Sequence, residues 1–284
     1  MRKLLTVFLF ALLSFSTVSV WANDNNVGKP LEIGIIPYLS PRILISSYEP
    51  MRLYLENALG TPVIIYTATG FKKFFQNSQQ GNYDLVLSAA HFARILQKDH
   101  QYTPLVRFAA TNHASIVTSI NSPIKTVHDL KGQVLAVPDQ LALSSIVVFD
   151  YLHDAGLQPG IDFKIQEVPS FTSAILSVQK GEAAAAISSP GILAQMPTEL
   201  STSVKIIADT GEHLRMIFLT HPRINKPYAE LIKQTLLKFS NETNEGKLFV
   251  TKTKVGAIIP ATTQDMNSLD RYVTITKRLL NESP

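Results

Sequence analysis

Thr69-Gly70-Phe71 … Gln79-Gln80-Gly81 … Leu87-Ser88-Ala89-Ala90 is answered 100 residues later by Pro169-Ser170-Phe171 … Gln179-Lys180-Gly181 … Ile187-Ser188-Ser189-Pro190. Phe71/Phe171, Gln79/Gln179, Gly81/Gly181 and Ser88/Ser188 coincide without a gap. The physical pattern coincides as well. An apolar run (Val63 to Tyr66; Phe163 to Val168 in looser register) leads to a small-residue turn and an amphipathic segment. A glycine follows, then a second apolar run (Tyr83 to Leu87; Ala183 to Ile187) that stops at a serine. Each copy reads as strand, turn, helix, glycine stop, strand, polar loop, helix. Two copies predict two similar α/β lobes, each with a serine at the carboxyl end of a strand. Open α/β sheets hold ligands at that end.

Outward from the repeat, strands alternate with helices. Leu31 to Ile36 reads as an opening strand stopped by Pro37, and Ser46 to Leu59 as a helix ended by Gly60. Ala114 to Thr118 is strand-like, and Thr126 to Leu130 a single helical turn closed at Gly132. Val134 to Val137 is a strand, and Ser144 to Leu152 an apolar helix. Val204 to Ile207 and Met216 to Leu219 read as return strands; Pro227 to Phe239 and the tail through Leu280 read as helical. The alternation predicts an α/β protein with mostly parallel sheets. The expected division is lobe 1 from 23–112 plus 210–284 and lobe 2 from 113–209, with a ligand cleft between them.

Residues 1–22 are expected to leave the fold. Arg2 and Lys3 open an apolar run from Leu4 to Leu13, and Val20-Trp21-Ala22 is a small-x-small cleavage site before polar Asn23-Asp24-Asn25-Asn26. Ser14, Ser16, Thr17 and Ser19 interrupt the run before a span of about 20 residues is complete. The chain has no cysteine, which excludes thiolate metal sites, cysteine catalysis and a lipid-modified cysteine. The formal charge of +4 falls to +2 once Arg2 and Lys3 are removed. Acidic and basic residues are interspersed, which predicts no nucleic-acid partner.

No G-x-S-x-G elbow, H-E-x-x-H or P-loop is present, and the 7 histidines lack metal-ligand spacing. No enzyme, cofactor or metal site is expected. Arg42, Arg107 and Arg215 are candidates for gripping a carboxylate or phosphate, or else are surface or lobe-bridging residues.

Several segments together resemble a known family. They are Ile36-Pro37-Tyr38-Leu39-Ser40-Pro41, Tyr54 to Val63, Gly81-Asn82-Tyr83-Asp84-Leu85-Val86-Leu87, Ser122-Pro123-Ile124 … Asp129-Leu130-Lys131-Gly132, Asp139 … Ser144-Ser145 and Ala174-Ile175-Leu176 … Gly181-Glu182. In order and spacing they resemble the phosphate/phosphite/phosphonate-binding branch of the periplasmic solute-binding proteins of ABC transporters, over roughly 31–220. The resemblance implies a two-lobed type II binding-protein fold that closes by a hinge on a small anionic solute. It also implies a membrane permease as partner, and a periplasmic monomer. A sensory protein of the same fold, reporting to a membrane kinase or cyclase, is the alternative.

The family's oxyanion site falls on Ser144 and Ser145 at a helix start, where free N–H groups and the helix dipole favour an anion. Ser144 reads equally as a simple cap. Tyr38 matches the family's aromatic residue after the first strand, or packs a lobe surface. Phe171 stands where phosphonate binders often carry histidine, and the Ser188-Ser189 loop lacks their acidic residues, so a ligand with a primary amine is not expected. His91 lies in the matching loop of the first lobe, as ligand contact or as a helix-start residue. With Ser88 and Ser188, these are the expected site residues. Mature protein should begin at Asn23 and contain no tryptophan, because Trp21 is the one tryptophan in the chain. N-terminal sequencing checks this, and a tryptophan emission band from the secreted protein would overturn it.

Overall fold

The computed structural model of the protein describes residues 29–282, so the leader and its cleavage site lie outside the described residues. The first sheet begins with β1 (Leu31–Ile35), α1 (Pro41–Leu59), β2 (Val63–Tyr66), α2 (Phe71–Gln79) and β3 (Leu85–Ala89). α3 (Ala90–His100) and β4 (Thr103–Phe108) follow. β5 (Thr111–Ser119) carries the chain into the second sheet. There, β6 (Val134–Val137), α4 (Leu143–Asp154), β7 (Lys164–Glu167), α5 (Phe171–Gln179) and β8 (Ala185–Ser188) repeat the opening plan. Short helices α6 (Pro190–Leu193) and α7 (Thr198–Ser201) lead to the long β9 (Val204–Leu214). β10 (Met216–Thr220) returns to the first sheet, followed by α8 (Lys226–Glu242), α9 (Asn244–Thr253), β11 (Ile258–Pro260), α10 (Thr263–Ser268) and α11 (Asp270–Glu282).

The first sheet has the order β11-β4-β10-β3-β1-β2 and the second β7-β6-β8-β5-β9. In both, the first β-strand of the repeated unit lies between the second and third, parallel to each, and the next strand inwards is antiparallel. The sheets are therefore mixed, not mostly parallel. β10, β4 and β11 pair antiparallel, as do β5 with β8 and β9; none of these pairs is joined by the single strand–helix–strand crossover that goes with parallel pairing. Leu105 to Phe108 belongs to a strand. The C-terminal tail includes an edge strand, β11, among its helices.

Local chemistry explains the element ends. Pro41 starts α1 with φ preset for the first helical turn, several residues earlier than the Ser46 start that the sequence suggests. Leu44, Tyr48, Met51 and Leu55 form its buried stripe, and Gly60 ends it in a left-handed conformation. The repeat holds at the level of single hydrogen bonds. Phe74 N donates to Gly70 O and Ala174 N to Ser170 O, each at 3.0 Å. Asn82 N donates to Asn77 O at 3.0 Å and Glu182 N to Ser177 O at 2.9 Å. Gly81 and Gly181 make the turn between helix and strand at φ 71° and 75°. A side chain there costs about 1–2 kcal/mol of backbone strain.

The two glycines differ in surroundings. A Cβ on Gly181 meets nothing within 4 Å, whereas one on Gly81 would lie 2.7 Å from His221 Nε2. Gly181→Ala should therefore lose about 1–2 kcal/mol, and Gly81→Ala more, because the His221 ring must also move. Urea midpoints of the two variants check this ordering; equal losses would contradict it.

Candidate functional site

Between the carboxyl ends of the two sheets lies a cavity of about 60 Å³, lined from both lobes. The loop after β1 supplies Ile36 and Tyr38, and the end of β3 supplies Ala89. The start of α4 supplies Leu143 and Ser144, α6 supplies Ile192, and the β9–β10 junction supplies His213 and Arg215. Phe71 and Phe171, the aligned phenylalanines of the repeat, are each the first residue of a helix and both line it. One duplicated position thus gives two aromatic walls to a single site.

The lobes touch around this cavity. The Tyr38 hydroxyl donates to Gln195 Oε1 at 2.9 Å and lies 2.9 Å from the Tyr48 hydroxyl. Burial pushes its pKa up to about 12, opposed by the Tyr48 hydrogen bond. The Phe71 N–H, in the first turn of α2, donates to Asp139 Oδ2 at 3.1 Å, and Leu141 N donates to Asp139 Oδ1 at 2.7 Å. Burial still raises Asp139 to about 6. His91 is fully buried behind the site, with Nε2 2.8 Å from Leu141 O.

Of the residues singled out from the sequence, Tyr38, Ser144 and Phe171 come together at the cavity. The Tyr38 hydroxyl proton is committed to Gln195, so the residue presents mainly its ring. Ser144 is the second residue of α4, and Ala142 rather than Ser144 occupies the cap position. Ser145 is fully buried beside it with Oγ unpartnered and does not line the cavity. Ser88 and Ser188 lie inside β3 and β8, fully buried. Ser88 Oγ donates to Ala89 O at 3.3 Å, and Ser188 Oγ has no partner. His91 is buried and is not among the residues lining the cavity.

Arg215 stands out among the three arginines. Arg42 is exposed, and Arg107 is paired with Asp265 at 2.9 Å. Arg215 is 8% exposed and is one of the residues that line the cavity; Nη1 donates to Lys254 O at 2.7 Å, and Nη2 is buried without a partner. No carboxylate pairs with it among the described residues. Burial lowers its pKa, which Tyr38 and Tyr48 partly oppose. His213, two residues earlier, is buried, with Nδ1 unpartnered. Burial holds it down to about 4. His213 belongs to the site yet carries no sequence signal, since it lies at the end of a strand whose reading stopped at Ile207.

Two sheets joined by a pair of crossing strands, with a cavity at their facing carboxyl ends, define a two-lobed type II binding protein. The family described as "ABC transporter, phosphonate, periplasmic substrate-binding protein" matches residues 33–266, and the chain belongs to that family. The fold is similar to that of a binding-protein component of a phosphonate ABC transporter from Pseudomonas aeruginosa. That likeness has a TM-score of 0.78 at 14% identity, with 90% of each chain covered. It is also similar to PhnD1 of Prochlorococcus marinus in complex with methylphosphonate, with a TM-score of 0.76 at 14% identity, covering 89% of this chain and 99% of that one. The alkanesulfonate-binding protein SsuA of Xanthomonas axonopodis pv. citri, bound to MOPS, gives a TM-score of 0.61 at 15% identity, covering 90% and 94%.

Burial also sets how the site responds to pH. His91 and His213 are both depressed to about 4, so the unfolded chain binds more protons than the folded one below the ordinary histidine value. Their contribution is complete above about 6.5 and is lost as pH falls towards 4. Asp139, raised to about 6, works in the opposite sense: its folded form is favoured at low pH, and that advantage is lost as pH rises through 6. Lowering pH from 7 to 5 should cost on the order of 1–2 kcal/mol per imidazole, partly offset by Asp139. Urea midpoints against pH should show a shallower fall for His91→Asn and a steeper one for Asp139→Asn.

Proposed function

We propose that this family member captures a short-chain phosphonate, or a closely related oxyanion such as phosphite or a small phosphate ester. The observation that carries the reading is Arg215, a cavity-lining residue whose buried guanidinium has no carboxylate to balance it among the described residues. A buried cation is costly unless an anion meets it. The first turn of α4 adds backbone N–H groups and the positive end of its dipole, with Ser144 at the same place. Among the described residues no acidic side chain lines the cavity, which disfavours an amine-bearing ligand.

Size narrows the class further. A water site takes about 10–15 Å³ by the same measure, so about 60 Å³ holds roughly four to six non-hydrogen atoms. A tetrahedral head group with one short substituent has that size. Phe71 and Phe171 both line the cavity and give the substituent an apolar surface. In this reading Tyr38, Ser144 and Phe171 touch the ligand, while Ser88, His91, Ser145 and Ser188 support the wall from behind. The bodies that close are residues 29–112 with 210–282, and residues 113–209. The exported monomer hands its solute to a membrane permease, and the site binds without chemical turnover.

A thermal-shift screen tests the ligand. A ligand at 100 times its dissociation constant stabilises by about 2.7 kcal/mol, or roughly 5–10 °C in Tm for a chain of this size. Methylphosphonate or phosphite should give such a shift, with aminoethylphosphonate weaker and Ser144→Ala reducing the response. A response only to sugars or cations would overturn the assignment.

A further inference from the structure

Arg215 lies between β9 and β10, where the chain leaves the second sheet for the first. Its Nη1 bond to Lys254 O ties the side chain to the C-terminal cap of α9. Lys254 follows the last helical residue of α9, so the guanidinium meets the negative end of that helix dipole. From the other lobe it is covered by Gly191 in α6. A Cβ built on Gly191 would lie 2.8 Å from Arg215 Nη1, 3.0 Å from Nη2 and 3.1 Å from Cζ. Gly191 is not among the glycines with positive φ, so its lack of a side chain serves space and not backbone conformation. The α6 segment is also held across the cleft by the bond between the Tyr38 hydroxyl and Gln195, whose amide nitrogen donates to Gly191 O at 2.9 Å.

We infer that Arg215 makes closure of the two lobes conditional on an anionic occupant, and that Gly191 is the surface that closes upon it. With the lobes apart, water solvates the guanidinium. Bringing Gly191 down strips that water from a full positive charge. Tyr38, Tyr48 and His213, the titratable groups that interact with it electrostatically in this arrangement, supply no negative charge at neutral pH. The C-terminus of α9 offsets the charge only in part. An oxyanion in the cavity beside it supplies the missing counter-charge. A neutral molecule of the same shape would fill the space and leave the cation uncompensated. Selectivity for anions is then exercised on the closing step as well as on contact. This inference rests on the oxyanion reading of the site, but it concerns what permits closure.

The radius of gyration of the full mature protein by small-angle X-ray scattering reads closure directly. Ligand-free wild type should be more expanded than wild type with methylphosphonate. Arg215→Met should be compact without ligand, close to the ligand-bound wild type. Its dissociation constant for methylphosphonate should rise roughly tenfold to a hundredfold, the loss of one charged hydrogen-bonding group. Arg215→Lys keeps the charge and should remain expanded without ligand. Gly191→Val should stay expanded with and without methylphosphonate, because its side chain occupies the closing surface. Arg215→Gln replaces Arg215→Met if the latter does not melt cooperatively.

A ligand-free Arg215→Met or Arg215→Gln protein with the expanded radius of wild type would overturn the inference. So would a wild type that is already compact without ligand. If no oxyanion compacts wild type but another ligand does, the oxyanion reading fails. The ligand-free comparison of Arg215→Met with wild type then still decides whether the charge gates closure.

Discussion

The pairing of β5 with β9, from Thr111↔Leu214 to Ser119↔Val204, is the constraint on which the cleft depends. These strands of the second sheet adjoin the two passages between the sheets, at 109–110 and at Arg215, and they run antiparallel as one ribbon. The ribbon is reinforced where Thr210 Oγ1 accepts from Ala114 N at 3.1 Å and donates to Ala114 O at 2.9 Å. A double connection leaves the lobes free to bend about one line and little else. The facing carboxyl ends of two sheets with the same internal order then define the cavity. His213 and Arg215 occupy it because they stand at the end of the ribbon.

Charge at that cavity is arranged by burial more than by pairing. Histidines behind and beside the wall are held neutral, the tyrosines are held protonated, and Asp139 is engaged by two backbone N–H groups. Asp139 is not among the residues lining the cavity; the charged groups there, among the described residues, are the buried guanidinium of Arg215 and the start of α4. Backbone amides and one fixed cation suit an oxyanion because they are already oriented when it arrives. The phenylalanines set the apolar part of the boundary, and they do so as a pair because the chain repeats itself.

The repeat, the glycine turns and the order of elements were legible along the chain because each depends on residues within a few positions. Strand direction was less so. The reading of mostly parallel sheets failed at β10, β4, β11, β5 and β9, where pairing is chosen by which strands the crossing segments bring together. The site was legible in part. Tyr38, Ser144 and Phe171 reach the cavity, and Arg215 was one of three arginines that local sequence could not rank. Ser88 shows why neighbours diverge: side chains alternate along a strand, and Ala89, one residue on, lines the cavity in its place. Ser145 likewise does not line the cavity, since one step along a helix turns a side chain by about 100°.

By itself, then, the sequence determined the α/β class, the duplicated unit with its glycine stops, and membership of a binding-protein family. Periodicity, turn chemistry and motif order are local or cumulative along the chain. Only the tertiary structure decided that Phe71 and Phe171 face one cavity, that Arg107 is paired while Arg215 is not, and that Gly191 presses on the guanidinium. Those facts follow from contacts between residues far apart in the chain, where the desolvation of a charge depends on everything packed around it.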